Sequence, residues 1–191
     1  VGARPVDLKS LGCDAYVASP HKWLLAPKGT GILYVRRDIQ SRLWTTLASY
    51  QWANETDGAF RFMQYGTGST SLIDGLMAAL DLAEHHGMER VGRWDRMLAL
   101  RLRAGLQRIP GVVLSSPADE RLASQITTFR VEGMKARDLQ NALWEQRIRV
   151  RAQGDDKGVR FSAHIYVDPD DIDRALAVVA DCAHRARSSP A

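Results

Sequence analysis

The chain has 191 residues, of which 45% are hydrophobic and 25% are charged, an ordinary globular composition that argues against a disordered tail. Its formal net charge is +4, but the basic residues are scattered among acidic ones, so we expect no nucleic-acid partner. No apolar run approaches the roughly 20 residues that a membrane span requires, so we expect no insertion into a membrane.

The cysteines and the first residues add two further expectations. Cys13 and Cys182 form neither a CxxC pair nor a Cys/His cluster, which disfavours a disulfide framework and a zinc site and fits a reducing cytoplasm. The chain begins "VGARPVDLK", without an initiator methionine or the charged and apolar stretches of a signal peptide. We therefore expect a fragment of a larger protein.

The first predicted elements are two short strands. The run "DAYVAS" (14–19) is mostly apolar and is typical of a buried strand, and "GTGILYVRR" (29–37) has β-branched and aromatic residues after glycines. Residues 37–62 are only weakly periodic. This segment predicts a loop with a short helix.

Two helices are predicted next. Between residues 71 and 86 the apolar residues recur at helical spacing, and after Gly87 they recur in steps of three or four from 91 to 109. The proline and glycine of "IPG" (109–111) end the second helix.

The rest of the chain predicts the order strand, strand, helix, strand, strand, helix. These elements are "VVLSS", "QITTFRV", "ARDLQNALWEQR", "IRVRAQ", "VRFSAHIYV" and "PDDIDRALAVVADCAHRAR". Asp168 is the expected N-cap of the last helix. Arg147, Arg149 and Arg151 alternate, which would place them on one face of a strand. The pattern indicates a compact α+β domain with helices packed on a small sheet.

The segment "SPHKWLL" (19–25) is the first candidate for chemistry. A lysine is ordinarily a surface residue, but the apolar "WLL" that follows Lys22 would hold it inside the protein. Burial favours the neutral amine of a lysine, which is the form that makes Schiff bases. Ser19 and His21 supply two hydrogen-bonding groups directly before it.

Two other segments could bind anions. The run "QYGTGSTS" (64–71) brings glycines and hydroxyls to a helix N-terminus, which suits a phosphate, although a plain loop with a hydroxyl N-cap explains it equally. In "VRFSAHIYV" (159–167), strand alternation puts Arg160, Ser162, His164 and Tyr166 on one polar face. That face is either solvated or lines a cleft, where Arg160 could hold a carboxylate.

In this order the three segments resemble the class V aminotransferase family of pyridoxal-phosphate enzymes, which have fold type I. Within the family they are most similar to the isopenicillin N epimerase-like and cysteine desulfurase-like enzymes. The resemblance covers residues 6–187. It implies an α/β fold in which residues 1–87 are the C-terminal part of a mixed-sheet, cofactor-binding large domain. Residues 88–110 would be a linking helix and residues 111–191 a small α+β C-terminal domain.

The resemblance also implies roles for individual residues. It assigns cofactor contacts to Ser19, His21, Lys22, Gly66 and Thr67. Lys22 would form the Schiff base with pyridoxal phosphate, and Ser19 and His21 would contact its phosphate. Thr67 would reach the cofactor phosphate of a neighbouring subunit, which implies a homodimer with shared active sites. Arg160 would bind the α-carboxylate of an amino-acid substrate. Epimerisation, elimination and transamination all remain open.

The sequence departs from the family in two ways. Family members carry an N-terminal half with the aspartate that pairs with the pyridine nitrogen, and the resemblance implies that this chain begins after it. We therefore expect incomplete activity from the chain alone, with a non-catalytic remnant that retains dimerisation or partner binding as the alternative. The loop "RAQGDDKGVR" (151–160) lacks the cysteine of the desulfurases, which disfavours persulfide chemistry. We expect Cys13 and Cys182 to be structural, and His164 and Tyr166 to be packing residues.

Overall fold

The computed structural model describes residues 1–54, 58–117, 119 and 121–188. Its internal contacts divide the chain into two units, Val1–Arg90 and Val91–Ala191. Within the described ranges, every helix is too short or too polar to be a candidate for a membrane-spanning segment.

The first unit combines a two-stranded sheet with one long helix. Its elements are α1 (Leu8–Leu11), β1 (Ala15–Ala18), β2 (Ile32–Val35), two 3₁₀ helices (Arg37–Arg42 and Phe60–Met63) and α2 (Thr70–His86). Both predicted strands, the short helix in the weakly periodic segment and the first predicted long helix are confirmed. β1 and β2 pair antiparallel, with Val17 opposite Leu33.

The prediction that β1 is buried is wrong. Val17 is 73% exposed and its cross-strand partner Leu33 is 53% exposed. In the part of the chain that the structure describes, β1 pairs only with β2, so the sheet has two strands there. The two side chains line an apolar cavity of about 560 Å³ together with Phe62 and Met63. Apolar composition predicted a strand here, but the burial of a strand depends on what packs on its faces, and these two side chains remain exposed.

The second unit is an α+β arrangement in the predicted order. The elements from the second long helix onward are α3 (Met88–Leu106), β3 (Val112–Leu114), β4 (Ile126–Val131), α4 (Ala136–Glu145), β5 (Arg151–Ala152), β6 (Val159–Ser162) and α5 (Pro169–Ser188). The four strands form an antiparallel sheet in the order β3-β4-β6-β5. Side chains from the sheet and from α3, α4 and α5 share one hydrophobic core, which includes Leu98, Phe129, Leu139 and Val179.

Side chains cap the last two helices. The Ala136 N–H at the start of α4 donates to Asp155 Oδ1 at 2.9 Å. At the start of α5, the Asp171 N–H donates to Asp168 Oδ1 at 2.9 Å and the Asp168 N–H donates to Asp171 Oδ2 at 3.3 Å. This reciprocal pair is a capping box, and it confirms Asp168 as the N-cap of α5.

All four strands of the second unit are shorter than the sequence pattern suggests, the last two most of all. β6 ends at Ser162, and the Val167 N–H donates to the His164 carbonyl at 2.8 Å, so the chain turns instead of extending. The predicted alternation through His164 and Tyr166 is therefore wrong. His164 is 3% exposed and packs inside the unit, as predicted, whereas Tyr166 is 70% exposed and is not a packing residue.

The predicted row of alternating arginines is also interrupted. β5 contains only Arg151 and Ala152, and Arg147 lies in the turn after α4 with a φ of 60°. Arg147, Arg149 and Arg151 therefore do not share one strand face. Arg147 lies in the turn and Arg149 between that turn and β5, so Arg151 alone of the three belongs to a strand.

Candidate active site

Lys22 lies in a tight turn that follows β1. The Leu25 N–H donates to the Lys22 carbonyl at 3.1 Å, and the Ala26 N–H donates to the Pro20 carbonyl at 3.2 Å. Leu25 adopts a φ of 62°, a left-handed conformation that is uncommon for a branched residue. These features fold residues 19–26 into a compact loop at the end of the strand.

Lys22 is exposed on this loop, so the prediction that its apolar neighbours bury it is wrong. Leu24 is 5% exposed, but Leu25 is 41% exposed. A Cβ added to Gly2 would collide with the backbone of Trp23 and Leu24, so the N-terminal segment covers one side of the turn. The turn therefore sends Leu24 inward and leaves the lysine on the outer side.

The two residues flanking Pro20 carry unused polar groups. His21 is half-buried, and its Nδ1 has no hydrogen-bond partner among the described residues. Most buried side-chain polar atoms in proteins are paired, so this orphaned ring nitrogen is available to bond to a ligand. Ser19 is exposed. A hydroxyl, an imidazole and an amine thus occur within four consecutive residues.

The start of α2 is also open to an anion. Gly66 has a φ of 122°, and Gly66 and Thr67 are exposed. Ser69 is the N-cap of α2, but its side chain makes no capping hydrogen bond. The hydroxyl residue of the plain-loop alternative is therefore in place at the N-cap without bonding to the helix, and the first N–H groups of α2 can still bind an anion.

Close packing joins α2 to the chain that follows Lys22. A Cβ added to Gly75 would collide with the ring of Pro27, and one added to Gly29 would lie 3.1 Å from Leu72 Cδ1. Gly29 also has a φ of 101°. The structure thus brings the first turns of α2 against residues 27–29, one loop away from Lys22.

Arg160 lies in the second unit, on β6. The residues directly opposite it in the sheet are Thr128 on β4 and Arg151 on β5. The Nε atom is buried and has no hydrogen-bond partner among the described residues. Arg160 lines a cavity of about 750 Å³. An arginine with an unpaired Nε–H beside a cavity can hold a carboxylate through two parallel hydrogen bonds.

The α4 side of this cavity was not predicted from the sequence. Its lining includes Arg137, Gln140, Asn141 and Trp144. Their spacing of three, four and seven residues places them on one helix face. This polar face on α4 is visible in the sequence and could have indicated that the helix lines a binding site as well as packing on the sheet.

Neither cysteine lies in the loop before Arg160. Cys182 is 1% exposed in the core of the second unit, which confirms a structural position, and Cys13 is half-buried. The loop itself is a tight turn, in which the Gln153 N–H donates to the Gly158 carbonyl at 2.8 Å.

Residues 1–175 match the family model for aminotransferase class-V. The chain belongs to this family. Its members are fold type I pyridoxal-phosphate enzymes, so the resemblance seen in the sequence is confirmed.

Similar proteins carry cysteine desulfurase names. The chain is 33% identical over 159 residues to probable cysteine desulfurase 2 of Mycobacterium leprae, an alignment that covers 78% of this chain. It is 32% identical over 155 residues to a cysteine desulfurase of Salmonella agona, covering 76% of this chain. In both cases the chain spans only 37% of the relative's length.

Solved structures confirm the fold class. The chain superposes with a TM-score of 0.84 on the apo cysteine desulfurase from Thermococcus onnurineus NA1, at 24% identity, covering 96% of this chain and 50% of that one. It superposes with a TM-score of 0.79 on a variant of C-DES with glycine covalently linked to the pyridoxal-phosphate cofactor, at 28% identity, covering 94% and 49%. The chain therefore corresponds to about half of a fold type I enzyme.

The residues of the Lys22 turn fit pyridoxal phosphate. A primary amine is the group that bonds to its aldehyde, and the orphaned Nδ1 of His21 with the exposed Ser19 hydroxyl can donate to phosphate oxygens. The turn therefore offers an amine for the aldehyde of the cofactor and two hydrogen-bonding groups for its phosphate.

Proposed function

We propose that this chain is part of a pyridoxal-phosphate enzyme that acts on an amino acid, with Lys22 as the covalent attachment point of the cofactor. The unpaired, buried Nδ1 of His21 beside an exposed lysine is the observation that carries the proposal. Family membership supports it. The domain assignment also stays a proposal, with residues 1–87 in the cofactor-binding domain, 88–110 as a linking helix and 111–191 as the small domain.

Each residue would have a distinct task. Pyridoxal phosphate supplies an electron sink for the negative charge that develops at Cα of a bound amino acid. The Lys22 amine would move a proton to or from Cα as general base or acid. Ser19 and His21 would hold the phosphate by hydrogen bonds. Arg160 would bind the α-carboxylate and so orient the bond that breaks.

The reaction would be an epimerisation, an elimination or a transamination. One relative in the solved structures is the cystine C-S lyase C-DES, in complex with its reaction product cysteine persulfide. The loop 151–160 of this chain contains no cysteine, so we do not assign it a step in which a protein thiol accepts sulfur. We propose further that the protein is a cytoplasmic homodimer, in which Gly66 and Thr67 serve the partner's cofactor.

Borohydride reduction after incubation with pyridoxal phosphate, followed by peptide mass mapping, tests the attachment site. The experiment uses the 191-residue chain and the longest form that its gene encodes. We expect a pyridoxyl label on Lys22 that Lys22→Ala abolishes and Lys28→Ala leaves in place, since Lys28 is another exposed lysine, in the segment directly after the Lys22 loop. No label on Lys22 in either form would reject the proposal and leave a non-catalytic remnant as the better description.

A further inference from the structure

The cavity beside Arg160 is rich in positive charge. Four arginines line it: Arg137, Arg149, Arg151 and Arg160. Its lining includes no aspartate or glutamate, and none of the four arginines has an ion pair among the described residues. Its volume of about 750 Å³ lies in the range of roughly 300–1,000 Å³ that is common for ligand pockets.

The arginines reach the cavity from separate elements. Arg137 lies in the first turn of α4, on the same face as Gln140 and Asn141, whose amides can also donate hydrogen bonds. Arg151 and Arg160 are direct cross-strand partners on β5 and β6. Like charges placed opposite each other in an antiparallel pair are destabilising. The arrangement therefore carries an electrostatic cost that a bound anion would offset.

The buried Nε atom of Arg160 distinguishes this cavity from an ordinary charged surface. A solvated surface arginine has its nitrogens in water, whereas Arg160 Nε is buried without a partner. A buried donor left unpaired costs free energy that a ligand acceptor recovers. The other three arginines are exposed and free to turn toward the same ligand.

We propose that the substrate is an amino acid whose side chain carries its own anionic group, a carboxylate or a phosphate. Arg160 binds the α-carboxylate, and Arg137, Arg149 and Arg151 bind the second anion. This inference rests on the proposed function. One α-carboxylate needs one bidentate arginine, so a substrate with a neutral side chain leaves three cations of the cavity without a counterion.

Isothermal titration calorimetry on the cofactor-free chain tests this. The titrants are L-glutamate and its neutral isostere L-glutamine, then O-phospho-L-serine and L-serine, with inorganic phosphate as the ion alone. We expect each anionic amino acid to bind about tenfold or more tightly than its neutral counterpart, since hydrogen bonds to charged groups are the stronger ones. The Trp144 indole N–H resonance, assigned with Trp144→Phe, should shift with the same titrants because Trp144 lines the cavity.

Variants separate the two anion positions. Arg137→Gln and Arg151→Gln should remove most of the preference for glutamate over glutamine, while Arg160→Gln should weaken both ligands. Arg130→Gln is the matched control, because Arg130 lies on β4 of the same sheet but does not line the cavity. Circular dichroism of each variant verifies that it is folded.

Three outcomes would overturn the inference. Equal affinity for glutamate and glutamine would leave no site for a second anion. Inorganic phosphate binding as tightly as phosphoserine would indicate an adventitious ion only. Tight binding of a single-stranded oligonucleotide with a steep salt dependence would instead indicate a nucleic-acid surface. Repeating the titration on Lys22→Ala separates this inference from the proposed function, because anion preference requires neither Lys22 nor cofactor.

Discussion

His164 Nδ1 lies 2.7 Å from Asp95 Oδ2, and the two side chains are 3% and 0% exposed. Asp95 belongs to α3, and His164 follows the last residues of β6. The contact therefore joins two segments that are 69 residues apart. The Trp94 Nε1–H adds a bond of 3.2 Å to the Val167 carbonyl in the same region. Together these bonds fix the turn between β6 and α5.

Replacing Asp95 should destabilise the second unit. Asp95→Ala leaves the buried His164 ring without this partner, which we expect to lower the free energy of unfolding by about 1–3 kcal/mol. Asp95→Asn, which can still hydrogen-bond to the ring, should cost less. Urea unfolding followed by circular dichroism measures both. The control is Asp173→Ala, which breaks the exposed Arg101–Asp173 pair. If Asp95→Ala lowers the free energy of unfolding no more than the control does, the buried Asp95–His164 contact does not stabilise the unit as we expect.

The Arg101–Asp173 pair should make a small, pH-dependent contribution to stability. The hydrogen bond from Arg101 lowers the pKa of Asp173 below its ordinary value of 3.8. The folded state thus favours the ionised carboxylate, so the contribution is present above pH 3.8 and is lost as the pH falls through the lowered pKa. In low salt, the Tm difference between the wild-type chain and Asp173→Asn should shrink on acidification. If this Tm difference grows as the pH falls, the pKa of Asp173 is not lowered by folding and the prediction is wrong.

His21 should matter for cofactor binding and not for stability. Because Nδ1 has no partner among the described residues, His21→Ala removes no hydrogen bond seen in the structure and should leave Tm nearly unchanged. The same change should weaken pyridoxal-phosphate binding about tenfold by removing a donor to its phosphate. Absorbance titration gives the affinity. His86→Ala, an exposed histidine at the end of α2, is the control. Unchanged cofactor affinity with a large fall in Tm would indicate a structural role.

Gly75 should not tolerate a side chain. Alanine is favoured over glycine inside a helix by about 1 kcal/mol, but a Cβ at Gly75 would collide with the ring of Pro27. We expect Gly75→Ala to lower Tm and to shift α2 away from residues 27–29. Gly31→Ala is the control, because a Cβ at Gly31 meets no atom within 4 Å. Hydrogen exchange of the α2 amides reports the shift, and a Gly75→Ala chain as stable as the control would disprove the close contact.

The positions of the long helices were predictable from the sequence because their signals are local. Apolar residues at helical spacing marked α2 and α3, and Asp168 with Pro169 marked the start of α5. A capping box and a helical period each involve residues within a few positions of one another, so no distant contact is needed to recognise them. Family membership was likewise predictable, since the Lys22, Thr67 and Arg160 motifs occur in the family's order.

Burial and charge clustering were decided by tertiary structure. The sequence predicted a buried β1 and a buried Lys22, but Val17 is 73% exposed on its two-stranded sheet and Lys22 is exposed in the turn that follows β1. A strand's solvent exposure depends on which elements cover its faces, and those elements are distant in sequence.

The arginine-lined cavity has the same origin. Local alternation predicted a row of arginines on one strand, yet the turn after α4 takes Arg147 out of that row. The antiparallel register of β5 and β6 then sets Arg151 opposite Arg160, and α4 brings Arg137 to the same cavity. The sequence by itself determined only the local structure around each arginine, a helix for Arg137 and extended chain for Arg151 and Arg160. Only strand pairing and helix packing decided that their charges meet, because both join residues that are far apart along the chain.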